Sequence, residues 1–248
     1  MPSFAPRAVV DVLLKSVGVT IHRWPSPHTV LRHLQLFFER MDVDCVVDVG
    51  ANRGQFARSL RDDIGFKGHI LSFEPHPELH AGLREASAGD PRWRVEAYAV
   101  GREDGRLPFF ITGATDNASM LKPNEFGRET FGDILDLKGQ IEVPVRRLDD
   151  VLPALLDAVG ARRPFLKIDT QGFDLEVLAG AEGVHERLRG VLIEAALQHS
   201  YDGMPDITAS LDALRGSGFD PTGFFSVATD AAGALVEVDI VAQRRRAL

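Results

Sequence analysis

Apolar positions along this chain follow two alternating patterns. Short continuous apolar runs occupy residues 45–49, 69–73, 93–97, 165–168 and 190–194, while helical spacing occupies 55–60, 77–86, 148–158, 173–178 and 206–215. A strand buried on both faces reads as an unbroken apolar run, and strands alternating with helices indicate βαβ units. Ahead of this alternation, residues 6–16 and 28–41 have amphipathic helical spacing. In the second of these, Val30, Leu31, Leu34, Leu36, Phe37 and Phe38 make a broad apolar face, and Pro25 and Pro27 separate the two.

The middle of the chain breaks the alternation. Residues 107–111 and 141–147 read as strands, and the polar stretch between them, from about 113 to 139, holds Asp116, Asn117, Ser119 and several glycines. Long insertions in compact domains tend to be functional; a surface loop without a role is the other reading. The last two strands, 219–227 and 236–242, are separated only by a turn near 230–233. A parallel pair needs a long crossover, so this pair must run antiparallel. The expected architecture is α/β, a mostly parallel sheet that closes in an antiparallel hairpin. Residues 1–41 form an N-terminal helical segment, a cap or a packing element, and 42–248 the main domain.

Composition narrows this little. With 248 residues and 44% hydrophobic content the chain can bury an ordinary core. The net charge of −8 argues against broad contact with nucleic acid, whose phosphates call for Lys and Arg. The one basic run, Arg244-Arg245-Arg246, reads as a solvated chain end. Cys45 is the single cysteine, which excludes an internal disulfide and a Cys-based zinc site and reads as a buried, inert thiol. Arg7, Asp11 and Lys15 interrupt the N-terminal apolar stretch, unlike a signal peptide, and no apolar run nears the roughly 20 residues that span a bilayer. A cytoplasmic protein is expected, with a homo-oligomer left open.

The chemistry concentrates between Val46 and Phe56, in strand, glycine-rich turn and helix. Gly50 permits a sharp turn and Gly54 a close ligand approach at the helix start. The G-x-G-x-x-G fingerprint is absent, since Asp48 stands at its first position; this sets aside an NAD(P) oxidoreductase. A carboxylate there suits S-adenosylmethionine (SAM), which carries an ammonium and a sulfonium and no phosphate. Glu74, followed by Pro75, closes the second strand, where an acid can accept both hydroxyls of a ribose. The plainer reading makes Asp48 a turn cap and Glu74 a solvated charge. The [DN]-P-P-[YFW] motif that grips exocyclic base nitrogens is missing.

These segments resemble the FkbM family of SAM-dependent methyltransferases. The resemblance runs from about Val46 to Val241. It rests on the residues from Val47 to Asn52, on Phe73-Glu74-Pro75, on Val143-Pro144-Val145 with Leu148-Asp149-Asp150, and on Val191-Leu192-Ile193-Glu194. Its most specific part runs from Phe165 through Asp169, Thr170, Gln171 and Gly172 to Leu178. The family's common form has Glu where this chain has Gln171, and related members carry Gln there too; the mild departure removes one candidate acid or metal ligand. The resemblance implies a Rossmann-like class I methyltransferase fold, with a seven-stranded sheet, a C-terminal antiparallel hairpin and helices on both faces. It also implies SAM as cofactor and methyl transfer to a hydroxyl oxygen of a sugar, glycan, glycolipid or polyketide-type natural product. The alternative is a non-catalytic SAM-binding or interaction module of the same fold.

Methyl transfer from a sulfonium is an in-line displacement, so alignment is the main task, and a hydroxyl acceptor needs a base or a metal to lose its proton. Asp169 and Glu194 close the fourth and fifth strands, where ligands sit in open α/β sheets. Either can be a general base, a partner of the SAM ammonium, or a ligand of Mg²⁺. His199, five residues after Glu194, is a further candidate base. The expected cofactor contacts are Asp48, Gly50, Asn52, Gly54, Phe56, Glu74, Pro75, Asn117, Ser119 and Asp169. Asp169, Glu194 and His199 are expected to converge near the methyl group.

Overall fold

In strand β1 (Cys45–Val49) every residue is buried. Alternate side chains of a strand point to opposite faces, and here both faces are covered. Cys45, Val47 and Val49 enter one core with Leu71, Phe73, Leu166, Ile168, Val191 and Ile193, while Val46 enters a second with Ile70, Phe165 and Leu192. The computed structural model describes residues 28–114 and 117–245. The helical spacing at 6–16, the candidate Asp116 and Arg246 therefore lie outside the described residues.

The further strands of the main sheet are β2 (His69–Phe73), β3 (Trp93–Glu96), β7 (Pro164–Ile168), β8 (Gly190–Ala196), β9 (Phe219–Thr229) and β10 (Leu235–Arg244). They lie in the order β3-β2-β1-β7-β8-β10-β9. The first five are parallel, and β10 is antiparallel to both β8 and β9. This is the expected mostly parallel sheet with a C-terminal antiparallel hairpin. The strand order reverses between β1 and β7, and open α/β sheets bind ligands at such a switch point, beyond the strands' carboxyl ends.

Helices cover both faces. Helix α1 (Val30–Met41), α2 (Gln55–Asp62) and α3 (Pro77–Ser87) bury Leu34, Phe37, Phe38, Ala57, Leu60 and Leu83 in the second core. The rings of Phe37 and Phe38 lie 5.3 Å and 5.1 Å from that of Phe165. Leu36, expected on the apolar face, is exposed; the buried residues of this helix are Leu34, Phe37 and Phe38. Thr29 caps the helix by accepting the backbone N–H of Arg32, and Asp42 ends it in a left-handed conformation.

Between β3 and β7 the chain builds a three-stranded sheet from β4 (Ala99–Val100), β5 (Gly105–Thr112) and β6 (Leu137–Arg146), in the order β4-β6-β5. The stretch expected to be a polar loop also contains helix α4 (Glu125–Phe131), which Asn124 caps through the backbone N–H of Gly127 at 2.8 Å. Helix α5 (Leu148–Val159), α6 (Asp174–Ala179) and α7 (Ile207–Gly216) pack on the first core. The two described arginines of the basic run, Arg244 and Arg245, are tied to the fold. Arg244 belongs to β10, lies over the Phe219 ring and pairs with Glu186, and Arg245 pairs with Asp220 at 2.8 Å. No helix among the described residues is long and apolar enough to cross a membrane.

Candidate active site

Three polar side chains sit side by side in the sheet. The register pairs Asp48 with Ser72 on β2 and with Lys167 on β7. All three are buried, Asp48 completely. Lys167 Nζ lies 3.0 Å from Asp48 Oδ1, Ser72 Oγ donates to Asp48 Oδ2, and Trp93 Nε1 donates to Ser72 Oγ. Burial alone would lower the Lys167 pKa, but the charges of Asp48 and Asp169 outweigh it and raise it. The ammonium also donates to the Gly50 carbonyl at 2.9 Å, so it ties the glycine turn to β7. Asp48, expected to meet the cofactor directly, instead lies beneath the turn as the partner of Lys167.

The turn itself is shaped by contact. Gly50 has a φ of +76°, and a Cβ there would stand 1.8 Å from the Asp169 carbonyl oxygen. Gly54 has a φ of +79° at the start of α2, and a Cβ there would strike Leu83 and Trp93 at 2.7–2.8 Å. The small residue at 54 thus serves helix packing, where ligand approach was expected. The Glu74 carboxyl joins the first two strand ends, accepting from the backbone N–H of Asn52 and of His76, both at 2.8 Å. Burial pushes it up to about 7, against the pull of those two hydrogen bonds. A carboxylate has acceptor capacity beyond two bonds, so both oxygens can still receive hydroxyls.

Above this floor is a cavity of about 440 Å³. Gly50, Asn52, Phe56, Glu74 and Pro75 line it on one side, and Lys167, Asp169, Gln171 and Glu194 continue it across β7 and β8. The wall is completed by Asn117, Ser200 and Tyr201 and by Glu237 and Asp239 of β10. Asp239 is in register with Glu194. Burial first, then the neighbouring carboxylates, raises Glu194 well above the usual range and brings Glu237 and Asp239 to about 7.

Gln171 sits at the middle of this wall. Its Nε2 donates to Asp169 Oδ1 at 3.1 Å and to Glu194 Oε2 at 3.0 Å. Its Oε1 faces the Tyr201 hydroxyl at 3.0 Å and Asn117 Nδ2 at 3.3 Å. The Ser119 hydroxyl pins the inserted segment by donating to the Gln171 carbonyl at 2.8 Å. Ser119 is thereby a brace behind the cavity, where a ligand contact was expected; Asn117 lines the cavity itself.

Two expectations need correction. His199 does not converge with Asp169 and Glu194: its side chain is exposed and off the cavity wall, and its carbonyl accepts from Asn124 Nδ2. The loop turns after Leu197 so that Ser200 and Tyr201, not His199, face inward. The Mg²⁺ assignment to Asp169 and Glu194 does not fit either. Both present an oxygen to the Gln171 amide, and no group of three or more His, Cys, Asp or Glu among the described residues is arranged to hold a metal ion. Sequence reasoning also passed over Lys167, Tyr201, Glu237 and Asp239. The Val236-Glu237-Val238-Asp239-Ile240 alternation was the available signal, since it puts two acids on one face of a strand.

A family profile described as the methyltransferase FkbM domain matches residues 48–221. The chain belongs to the FkbM methyltransferase family. It is accordingly a SAM-dependent methyltransferase, and the cavity is its candidate active site. Similar to this FkbM chain are the 2-O-methyltransferase NoeI of Sinorhizobium fredii, 26% identical over 207 residues covering 81% of this chain and 83% of the relative, and the methyltransferase sdnD of Sordaria araneosa, 30% identical over 169 residues covering 60% and 65%. Among solved structures, a methyltransferase FkbM from Methylobacillus flagellatus KT is similar at 18% identity and a TM-score of 0.48, over 80% of this chain and 44% of that one.

Proposed function

We propose that this FkbM chain transfers the methyl group of SAM to a hydroxyl oxygen of a sugar, glycan, glycolipid or polyketide-type acceptor. The observation that carries the reading is the single cavity running from Glu74 to the carboxyls of Glu237 and Asp239, across the switch point of the sheet. SAM supplies an activated methyl group, and the chain's residues hold its ends and prepare the oxygen. On the donor side, Glu74 is the acceptor for ribose hydroxyls, with Asn52, Phe56 and Pro75 beside it. On the far side, Glu237 and Asp239 accept no hydrogen bond from the described residues, and their pKa values near 7 suit a general base for a hydroxyl. A relative named for 2-O-methyl transfer favours oxygen as the target. Within this reading α1, the described part of the N-terminal segment, is a packing element, because it fills the second core.

The experiment is methyl transfer from labelled SAM to a panel of hydroxylated saccharides and polyketides, with isothermal titration of SAM alongside. Release of S-adenosylhomocysteine (SAH) that depends on a hydroxyl acceptor is expected. Tight SAM binding with transfer only to amine acceptors, or to none, would instead favour a nitrogen methylase or the non-catalytic module.

A further inference from the structure

The Gln171 amide is placed where a bridging cation would have to stand. One nitrogen lies 3.1 Å from Asp169 Oδ1 and 3.0 Å from Glu194 Oε2. The amide orientation is set by its other end. Oε1 receives the Asn117 amide and faces the Tyr201 hydroxyl, so turning the group over would set NH₂ against the Asn117 NH₂ and oxygen against two carboxyls. Tyr201 is itself buried, at 1% exposure, and its hydroxyl also reaches the Asn117 carbonyl at 2.9 Å. The backbone bears a cost for this placement: Gln171 has a φ of +54°, a left-handed conformation that non-glycine residues rarely adopt. Such outliers persist where the surroundings over-determine them, and they gather at functional sites.

We propose that Gln171 is a positioning residue that bridges Asp169 and Glu194 with its amide in place of a divalent cation, so that the reacting centre of this chain is metal-free. The amide supplies two donors to two carboxyls and adds no charge. Mg²⁺ would need oxygen ligands at about 2.0–2.1 Å in octahedral array, and here the facing oxygens are directed at an NH₂ group locked from behind. A glutamate at this position would present oxygens to oxygens and recreate the demand for a cation. The inference rests on the methyl-transfer reading only for the role of the centre. Its test reads metal binding, not turnover, so either can fail without the other.

The test is titration of Mn²⁺, followed by the electron paramagnetic resonance signal of the free ion, on wild-type protein, on Asp169→Asn and on Gln171→Glu, each with SAH bound. Wild type should bind no Mn²⁺ that Asp169→Asn abolishes. Gln171→Glu should bind Mn²⁺ at least tenfold more tightly than wild type. Wild-type Mn²⁺ binding that Asp169→Asn removes would overturn the proposal, and so would a folded Gln171→Glu with no gain. Should Gln171→Glu fail to fold, judged by its melting curve, the comparison of wild type with Asp169→Asn decides alone: site-specific binding refutes the metal-free centre and its absence supports it.

Discussion

Lys167 is a buried cation among buried carboxylates. It is a fully committed cation, spending its ammonium on Asp48, Asp169 and the carbonyl of Gly50. Removing one partner of a buried ion pair leaves the other charge uncompensated, at about 3–5 kcal/mol. Lys167→Met should therefore lower stability by about that amount in urea unfolding, and adding Asp48→Asn to the same chain should recover part of the loss. A change below about 1 kcal/mol would mean that water or rearrangement relieves Asp48. Glu74 makes a different kind of demand. Its two backbone bonds shape the site, and its remaining acceptor capacity is the expected hold on the ribose. Glu74→Ala should weaken SAM binding at least tenfold, since each charge-assisted bond lost amounts to roughly 1.5–3 kcal/mol. Equal affinities in a calorimeter would remove Glu74 from the cofactor site.

The inserted segment is the element whose behaviour the site controls. Asn117, Ala118, Met120, Phe131 and Leu135 all line the cavity, and Ser119 fastens the segment to the β7 turn. A ligand filling the cavity gives this segment contacts it otherwise lacks. Amide hydrogen exchange between about 113 and 139 should slow when SAH binds, together with the turn at Gly50. Slowing at the Gly50 turn alone would leave the insertion outside the site. The edge of this expectation is α4, which already has its own cap and should change less than the residues before it.

At the scale of the whole molecule, burial makes stability depend on pH. Glu74, Asp174, Glu237 and Asp239 all have folded-state values near 7, raised chiefly by burial. In the unfolded chain the same groups release their protons near pH 4. Around neutrality the folded state therefore binds more protons, and stability falls as pH rises. The opposing groups act elsewhere: the lowered His33, His80 and His185 matter below about pH 6.5, where the unfolded chain takes up their protons. The ligand-free protein should accordingly melt at a lower temperature at pH 8 than at pH 6.5. A flat or rising melting curve across that window would show that these carboxyls are solvated. Cys45 acts in the same direction at higher pH, because burial pushes its thiol up to about 12 while an unfolded thiol ionises at about pH 8.5.

The order of strands and helices, the antiparallel hairpin and the glycine turn were legible from the chain, because each rests on local periodicity or on a connection too short for a crossover. Glu74 was legible for the same reason, as an acid closing an apolar run. What the local pattern could not reveal was lateral. Asp48, Ser72 and Lys167 are brought together by strand register, and β1, β2 and β7 are far apart in sequence. Asp48 read as a ligand contact because its neighbour across the sheet was not visible. Glu237 and Asp239 enter the site only because β10 runs back antiparallel beside β8. His199 leaves it because loop direction, which no periodicity encodes, turns Ser200 and Tyr201 inward. The amide bridge at Gln171 joins four segments, and only their packing in three dimensions decides that this residue becomes the link between two carboxyls.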